Sequence, residues 1–164
     1  MKRSVKYVGE DGGFLALLKD DSRTCCGDWT DFKAYNNLAS YLRCVKQSQS
    51  PDNLTDGREF RLWMRQRFAP VVLDLDIDQT GSTDVIHDIR QIDGGVPLIV
   101  IFSRSSMKTY SITKINSADA FYAKSRYNMD SLVEGIKAAF DKIGHWERTL
   151  LQFRSTPKLV EHRD

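Results

Sequence analysis

Short apolar runs alternate along this chain with stretches in which apolar residues recur every three or four positions. That alternation predicts strands and helices in turn, the pattern of a parallel sheet covered on both faces. Residues 5–8 form a first strand that ends at Gly9-Glu10-Asp11-Gly12-Gly13, and Phe14, Leu15, Leu17 and Leu18 give the apolar face of a first helix, which is expected to stop at Lys19-Asp20-Asp21-Ser22. Residues 24–32 are assigned to a second strand. From Tyr35, the positions Leu38, Tyr41, Leu42 and Val45 recur at helical spacing, and the polar segment 47–53 reads as a loop. Residues 59–68 predict an extra helix before the third strand.

The second half is clearer. Val71-Val72-Leu73 is a continuous apolar run of the kind buried on both faces, and it ends in Asp74-Leu75-Asp76-Ile77-Asp78. A Gly81-Ser82-Thr83 turn opens a helix carrying Val85, Ile86, Ile89 and Ile92. Pro97 starts a fourth strand, Leu98-Ile99-Val100-Ile101-Phe102, which ends at Ser103. A short helix with Ile112 and Ile115 follows, then a fifth strand over 120–123 that ends at Lys124. Leu132, Val133, Ile136, Phe140 and Ile143 mark a last amphipathic helix with Asn128 as its cap. Beyond Trp146 the periodicity fades. Residues 1–147 are therefore read as one domain with an insertion at about 48–68, and 148–164 as a tail or linker.

Composition narrows the class. At 164 residues and 41% hydrophobic, the chain has the size and apolar content for a single core. A formal net charge of +2 gives no indication of nucleic acid. No apolar run approaches the length of a membrane span, and the charged start Met1-Lys2-Arg3 lacks a signal peptide's apolar stretch, so a cytoplasmic location without membrane attachment is expected. Cys25, Cys26 and Cys44 fit no disulfide framework or zinc spacing and read as reduced thiols.

In an open sheet of this kind, ligands bind beyond the carboxyl ends of the strands. The residues there are Glu10 and Asp11 after strand one, Asp74 after strand three, Ser103 after strand four and Lys124 after strand five. Clustered carboxylates repel, and a hard cation such as Mg2+ relieves them. A carboxylate can attack phosphorus and form an acyl phosphate. Ser103 could hydrogen-bond one phosphoryl oxygen and Lys124 could pair with another.

From Lys6 to about Trp146 the chain resembles the receiver domain of response regulators, the CheY-like family. Val71-Val72-Leu73-Asp74 with Asp84-Val85-Ile86 and Ile89-Arg90 resembles the phosphoacceptor strand and its following helix. Leu98 to Ser103 is similar to the strand ending in the family's Ser/Thr, and Ala118-Asp119-Ala120-Phe121-Tyr122-Ala123-Lys124 to the segment with the switch aromatic and the lysine. The resemblance implies a flavodoxin-like, doubly wound, five-stranded parallel sheet of order 2-1-3-4-5. It implies Asp74 as phosphoacceptor, Ser103 and Lys124 as its partners, and Ser103 with Phe121 as the switch. The metal ligands for Mg2+ would be Glu10, Asp11, Asp74 and the backbone carbonyl of Asp76. The implied partners are a histidine kinase or phosphotransfer protein, a downstream output protein or domain, and a second copy through the last helix.

Two other readings compete. Gly9, Arg104 and Ser125 depart from the family pattern and favour a pseudo-receiver, an interaction module without phosphorylation. Asp76-Ile77-Asp78-Gln79-Thr80 matches the nucleophile signature of haloacid-dehalogenase-like phosphatases, but it follows the third strand rather than the first, and no acidic pair follows Lys124. The helix over 59–68 sets Phe60, Trp63, Met64 and Phe68 on one face and Arg58, Arg61 and Arg65 on another. Ordinary packing of the aromatics on the sheet, with solvated arginines, outweighs a partner-binding role.

Overall fold

A computed structural model of the chain describes residues 3–26, 30–48, 56–77, 84–103 and 117–155. Five strands, β1 (Arg3–Val8), β2 (Thr30–Tyr35), β3 (Val71–Asp74), β4 (Leu98–Phe102) and β5 (Ala120–Ala123), make one sheet. All pairings are parallel and the order is β2-β1-β3-β4-β5, as the resemblance implies. Among the described residues the α-helices are α1 (Gly12–Cys26), α2 (Leu38–Gln47), α3 (Gly57–Arg67), α4 (Val85–Ile92) and α5 (Met129–Ser155).

Side chains alternate across a strand, so each central strand feeds two cores. Val71 and Leu73, with Leu98 and Val100, face α2 and α4 through Tyr41, Val45, Ile86 and Ile89. Val72, Ile99 and Ile101 face α1 and α5 through Leu15, Leu18, Leu132 and Ile136. This two-sided burial explains why β4 and the first three residues of β3 are unbroken apolar runs. The edge strand β5 is only half-buried in alternation. Polar side chains start the helices. Asn37 accepts from the Ser40 N–H at 2.8 Å, Asp56 from Arg58 at 2.9 Å and Asp84 from His87 at 3.1 Å.

Several boundaries differ from expectation. Helix α1 runs on through the polar cluster at 19–22 to Cys26, so the first part of the expected second strand is helical and β2 begins at Thr30. The charges at Lys19, Asp20 and Asp21 sit on the solvent-facing or boundary side of α1 while Leu18 and Ser22 are buried, so they interrupt nothing. Tyr35 ends β2 rather than opening α2. Asn128 lies in a turn of 3-10 helix before α5, and its amide donates to the Ala123 carbonyl at 3.1 Å instead of capping the helix. Helix α5 continues past 148 to Ser155. The turn at 81–83, the expected helix with Ile112 and Ile115, and the side chains of Cys25 and Cys26 lie outside the described residues. Cys44 is a free thiol.

The inserted helix α3 leads into the amino end of β3, away from the strand ends that carry Asp74 and Lys124. Phe60 and Met64 are buried, as the aromatic face predicts. Its arginines are not simply solvated: Arg65 grips the buried Glu147 of α5 through Nε at 3.0 Å and Nη2 at 3.3 Å, and Arg61 lies 3.6 Å from the same carboxylate. At the end of α3, Arg67 pairs at 2.5 Å with Asp93, whose side chain is 1% exposed. Tyr41 also faces Asp93, and the Lys6 ammonium donates to the Arg67 carbonyl at 3.0 Å. Burial lowers the Lys6 pKa to about 8 despite the nearby Asp93 charge.

Removing one partner of a buried pair strands the other charge. Asp93→Ala should therefore destabilise the domain by about 3 kcal/mol in urea unfolding at neutral pH. A loss below about 1 kcal/mol, the range of exposed pairs, would show that Arg67 finds solvent instead.

Candidate functional site

The carboxyl ends of β1, β3, β4 and β5 meet at one rim. Strand β3 delivers Asp74 there with its side chain 1% exposed. Strand β4 lies between β3 and β5, and the Lys124 side chain reaches across its end from β5. Its ammonium lies 2.8 Å from Asp74 Oδ2, 2.9 Å from Asp76 Oδ2 and 3.0 Å from Asp11 Oδ2. The Phe14 ring, 5.7 Å away, covers the same ammonium. Burial opposes the charge on Lys124, but hydrogen bonds to Asp74, Asp76 and Asp11 outweigh it and hold the pKa above the ordinary lysine value.

Each carboxylate is further tied. Asp74 Oδ1 accepts the Asp76 N–H at 3.0 Å, which sets the tight turn after β3. Asp76 Oδ1 accepts from the Ser103 hydroxyl at 2.8 Å. Asp11 caps α1, its Oδ1 accepting the Phe14 N–H at 2.9 Å. That backbone bond first, then the Lys124 ammonium, keeps its pKa below the usual carboxylate value.

Asp11 and Asp74 thus meet at Lys124, and Ser103 joins them through Asp76. Glu10 does not join them: both it and Asp11 are exposed, but it is Asp11, next in sequence, that pairs with Lys124. Phe121 lies on the open side of β5, 53% exposed, with its ring 6.4 Å from that of Phe102. Arg104 and Asp78 lie outside the described residues.

Sequence reasoning missed two side chains. Asp76 is expected to offer only its backbone carbonyl, yet its side chain bonds both Lys124 and Ser103. Tyr7 reads as core, yet its hydroxyl donates to Asp74 Oδ2 at 3.0 Å. The signal for Tyr7 was available, because a tyrosine in a strand buried on both faces needs a partner for its hydroxyl. Gly9 makes that contact feasible: a Cβ there would fall 2.6 Å from the Asp74 Cβ.

The donor chemistry fits a hard divalent cation. Three carboxylates around one ammonium leave two negative charges in excess, all on oxygen. Among the described residues no three such side chains already stand in a metal-binding geometry, because they converge on Lys124 instead.

Two substitutions probe this arrangement. Lys124→Met leaves the carboxylates facing one another and should cost about 3 kcal/mol at neutral pH. The deficit should shrink at pH 4, as the carboxylates take up protons; an equal deficit at both pH values would assign it to packing alone. Gly9→Ala should cost about 1–3 kcal/mol by crowding Asp74, seen as a lower urea midpoint; an unchanged midpoint would mean that the rim yields freely.

The sequence matches no protein-family model and no curated protein. Solved structures do match. A response regulator receiver domain protein from Clostridium thermocellum aligns over 91% of this chain and 98% of its own, at 13% identity and a TM-score of 0.56. The response regulator LqsR of Legionella pneumophila aligns over 93% of this chain at 14% identity and a TM-score of 0.65, and this chain spans 48% of its length. The response regulator TrrA of Thermotoga maritima, solved in complex with Mg2+ and BeF, aligns over 85% of this chain and 99% of its own, at 19% identity and a TM-score of 0.56. In fold, then, this chain is similar to response-regulator receiver domains, with a flavodoxin-like sheet and Asp74 at its carboxyl rim.

Proposed function

We propose that this chain is a receiver-type signalling domain that accepts a phosphoryl group on Asp74 from a phosphohistidine of a kinase or phosphotransfer protein. The observation that carries the reading is the Lys124 ammonium 2.8 Å from the Asp74 carboxylate at the rim of a parallel sheet. In the transfer, an Asp74 oxygen bonds phosphorus as the bond from phosphorus to the donor nitrogen breaks. Positioning and charge stabilisation do most of the work in such reactions. The Asp76 N–H, the Ser103 hydroxyl and the Lys124 ammonium are the donors available to the phosphoryl oxygens. Asp11, Asp74 and the Asp76 carbonyl would hold Mg2+, which when bound would neutralise charge on the entering group. Glu10, exposed like Asp11 but not paired with Lys124, is left out of this set.

Once phosphorylated, the site would draw Ser103 and Lys124 away from Asp76. That change would release the rim around β4 and β5, where Phe121 is half exposed. Phe121 would then turn inward and alter the face formed by β5 and α5 for an output protein or a second copy of the chain. Such a bias of a two-state surface needs only a few new charge-assisted bonds.

A second reading, the pseudo-receiver, draws support from the same pocket. Both Asp74 oxygens are already satisfied by Tyr7, Lys124 and the Asp76 N–H, so the cluster is stable as a purely structural lock. Incubation with Mg2+ and acetyl phosphate, followed by intact mass, separates the two. We expect a single phosphoryl adduct that is lost in Asp74→Asn and retained in Asp76→Asn. Absence of any adduct with Mg2+ or Mn2+ would favour the structural lock.

A further inference from the structure

Tyr7 stands inside the pocket, although the phosphoryl transfer described above assigns it nothing. The residue is 1% exposed, and its hydroxyl lies 3.0 Å from Asp74 Oδ2 and 3.3 Å from the Asp11 carbonyl. Gly9, just past the end of β1, lies against both Asp74 and the Tyr7 ring. A Cβ on Gly9 would meet the Asp74 Cβ at 2.6 Å and the Tyr7 hydroxyl at 3.0 Å. The missing side chain at Gly9 is therefore the space that brings a phenol onto the acceptor carboxylate. Burial first, and then the Asp74 charge, push ionisation of that phenol above its ordinary range, so it remains a donor at neutral pH.

We propose that Tyr7 limits the lifetime of the phosphoryl group on Asp74, because its hydrogen bond stabilises the free carboxylate more than the acyl phosphate. The proposal rests on the phosphoacceptor reading. Hydrogen bonds to an ionised acceptor are roughly twice as strong as those to a neutral one. When Asp74 bonds phosphorus, the carboxyl group loses its full charge and the bond from Tyr7 weakens. In hydrolysis, water attacks phosphorus, the bond between phosphorus and the Asp74 oxygen breaks, and its electron pair returns to the carboxylate. Inorganic phosphate leaves as the dihydrogen anion, its new oxygen and both hydrogens supplied by the water. Tyr7 strengthens its grip as that charge develops and transfers no proton itself. Lys124, on the same Oδ2, carries its ammonium on a flexible four-carbon stem, whereas the phenol of Tyr7 is a rigid ring borne by β1.

The test uses the full chain with Tyr7→Phe, which keeps the ring. The protein is phosphorylated with acetyl phosphate and Mg2+, freed of donor, and followed by intact mass. Adduct decay should slow by about fivefold, the worth of converting a charged to a neutral hydrogen bond, while adduct formation is not slowed. Decay at the wild-type rate or faster overturns the proposal. So does a parallel loss of formation, which marks general damage to the pocket. A second arm needs no phosphorylation: urea unfolding of Tyr7→Phe, Asp74→Ala and the double variant. Coupling of about fivefold or more in the unfolding equilibrium is expected, and additive effects mean that the contact is absent and the proposal fails. Coupling without any adduct on the wild-type chain retires the phosphoacceptor reading, and the lifetime role with it, leaving a structural bond.

Discussion

One ammonium holds the rim of this sheet together. Lys124 enters from the last strand and is bonded by carboxylates from the end of β1, the end of β3 and the turn beyond it. Any of those acids, buried alone, would be costly. Gathered around one cation they are tolerable, and the tolerance depends on the strand order, which sets β3 and β5 two positions apart with β4 between them. The topology and the charge cluster therefore explain each other. A different order would leave Asp74 without a counter-charge, and a different residue at 124 would leave the order with a repulsive edge.

The second support of Asp74 is steric. Gly9 yields its side-chain volume, and Tyr7 fills the gap with a hydroxyl. A neutral donor thus touches the acceptor from the side of β1, and the acidic contribution of that strand's end moves to Asp11 on the helix cap. The exchange keeps Asp74 solvated by protein groups while adding no further negative charge.

How far the sequence foretold this depended on which physical signal each residue carried. Strand β4 and residues 71–73 of β3 were legible because two-sided burial leaves no polar position in those runs, and the rim residues followed from where they end. The end of α1 was not legible: Lys19, Asp20 and Asp21 look like a stop, but a helix with one solvated side absorbs such charges without breaking. The start of β2 was lost with it. Helix α5 outran its apolar periodicity because Glu147, a charged residue, is what docks its later turns onto α3. Glu10 and Asp11 were both expected at the pocket, but adjacent acids after a strand point in different directions, and the onset of α1 at Gly12 turns Asp11 toward Lys124. Asp76 and Tyr7 were misread for opposite reasons, one a polar side chain drawn in by a cation, the other an apolar-looking ring with a polar tip.

Asp11 has a divided allegiance whose consequence reaches beyond the pocket. One of its oxygens secures the leading amide bond of α1 and the other rests on Lys124. Whatever draws the lysine elsewhere slackens one end of this tether, and the Asp11 carboxylate can then swivel only at the expense of the helix's opening turn. The opening turn of α1 and the charge cluster at the rim therefore share a single carboxylate, and Phe14 is both the residue whose amide it caps and the ring that covers Lys124.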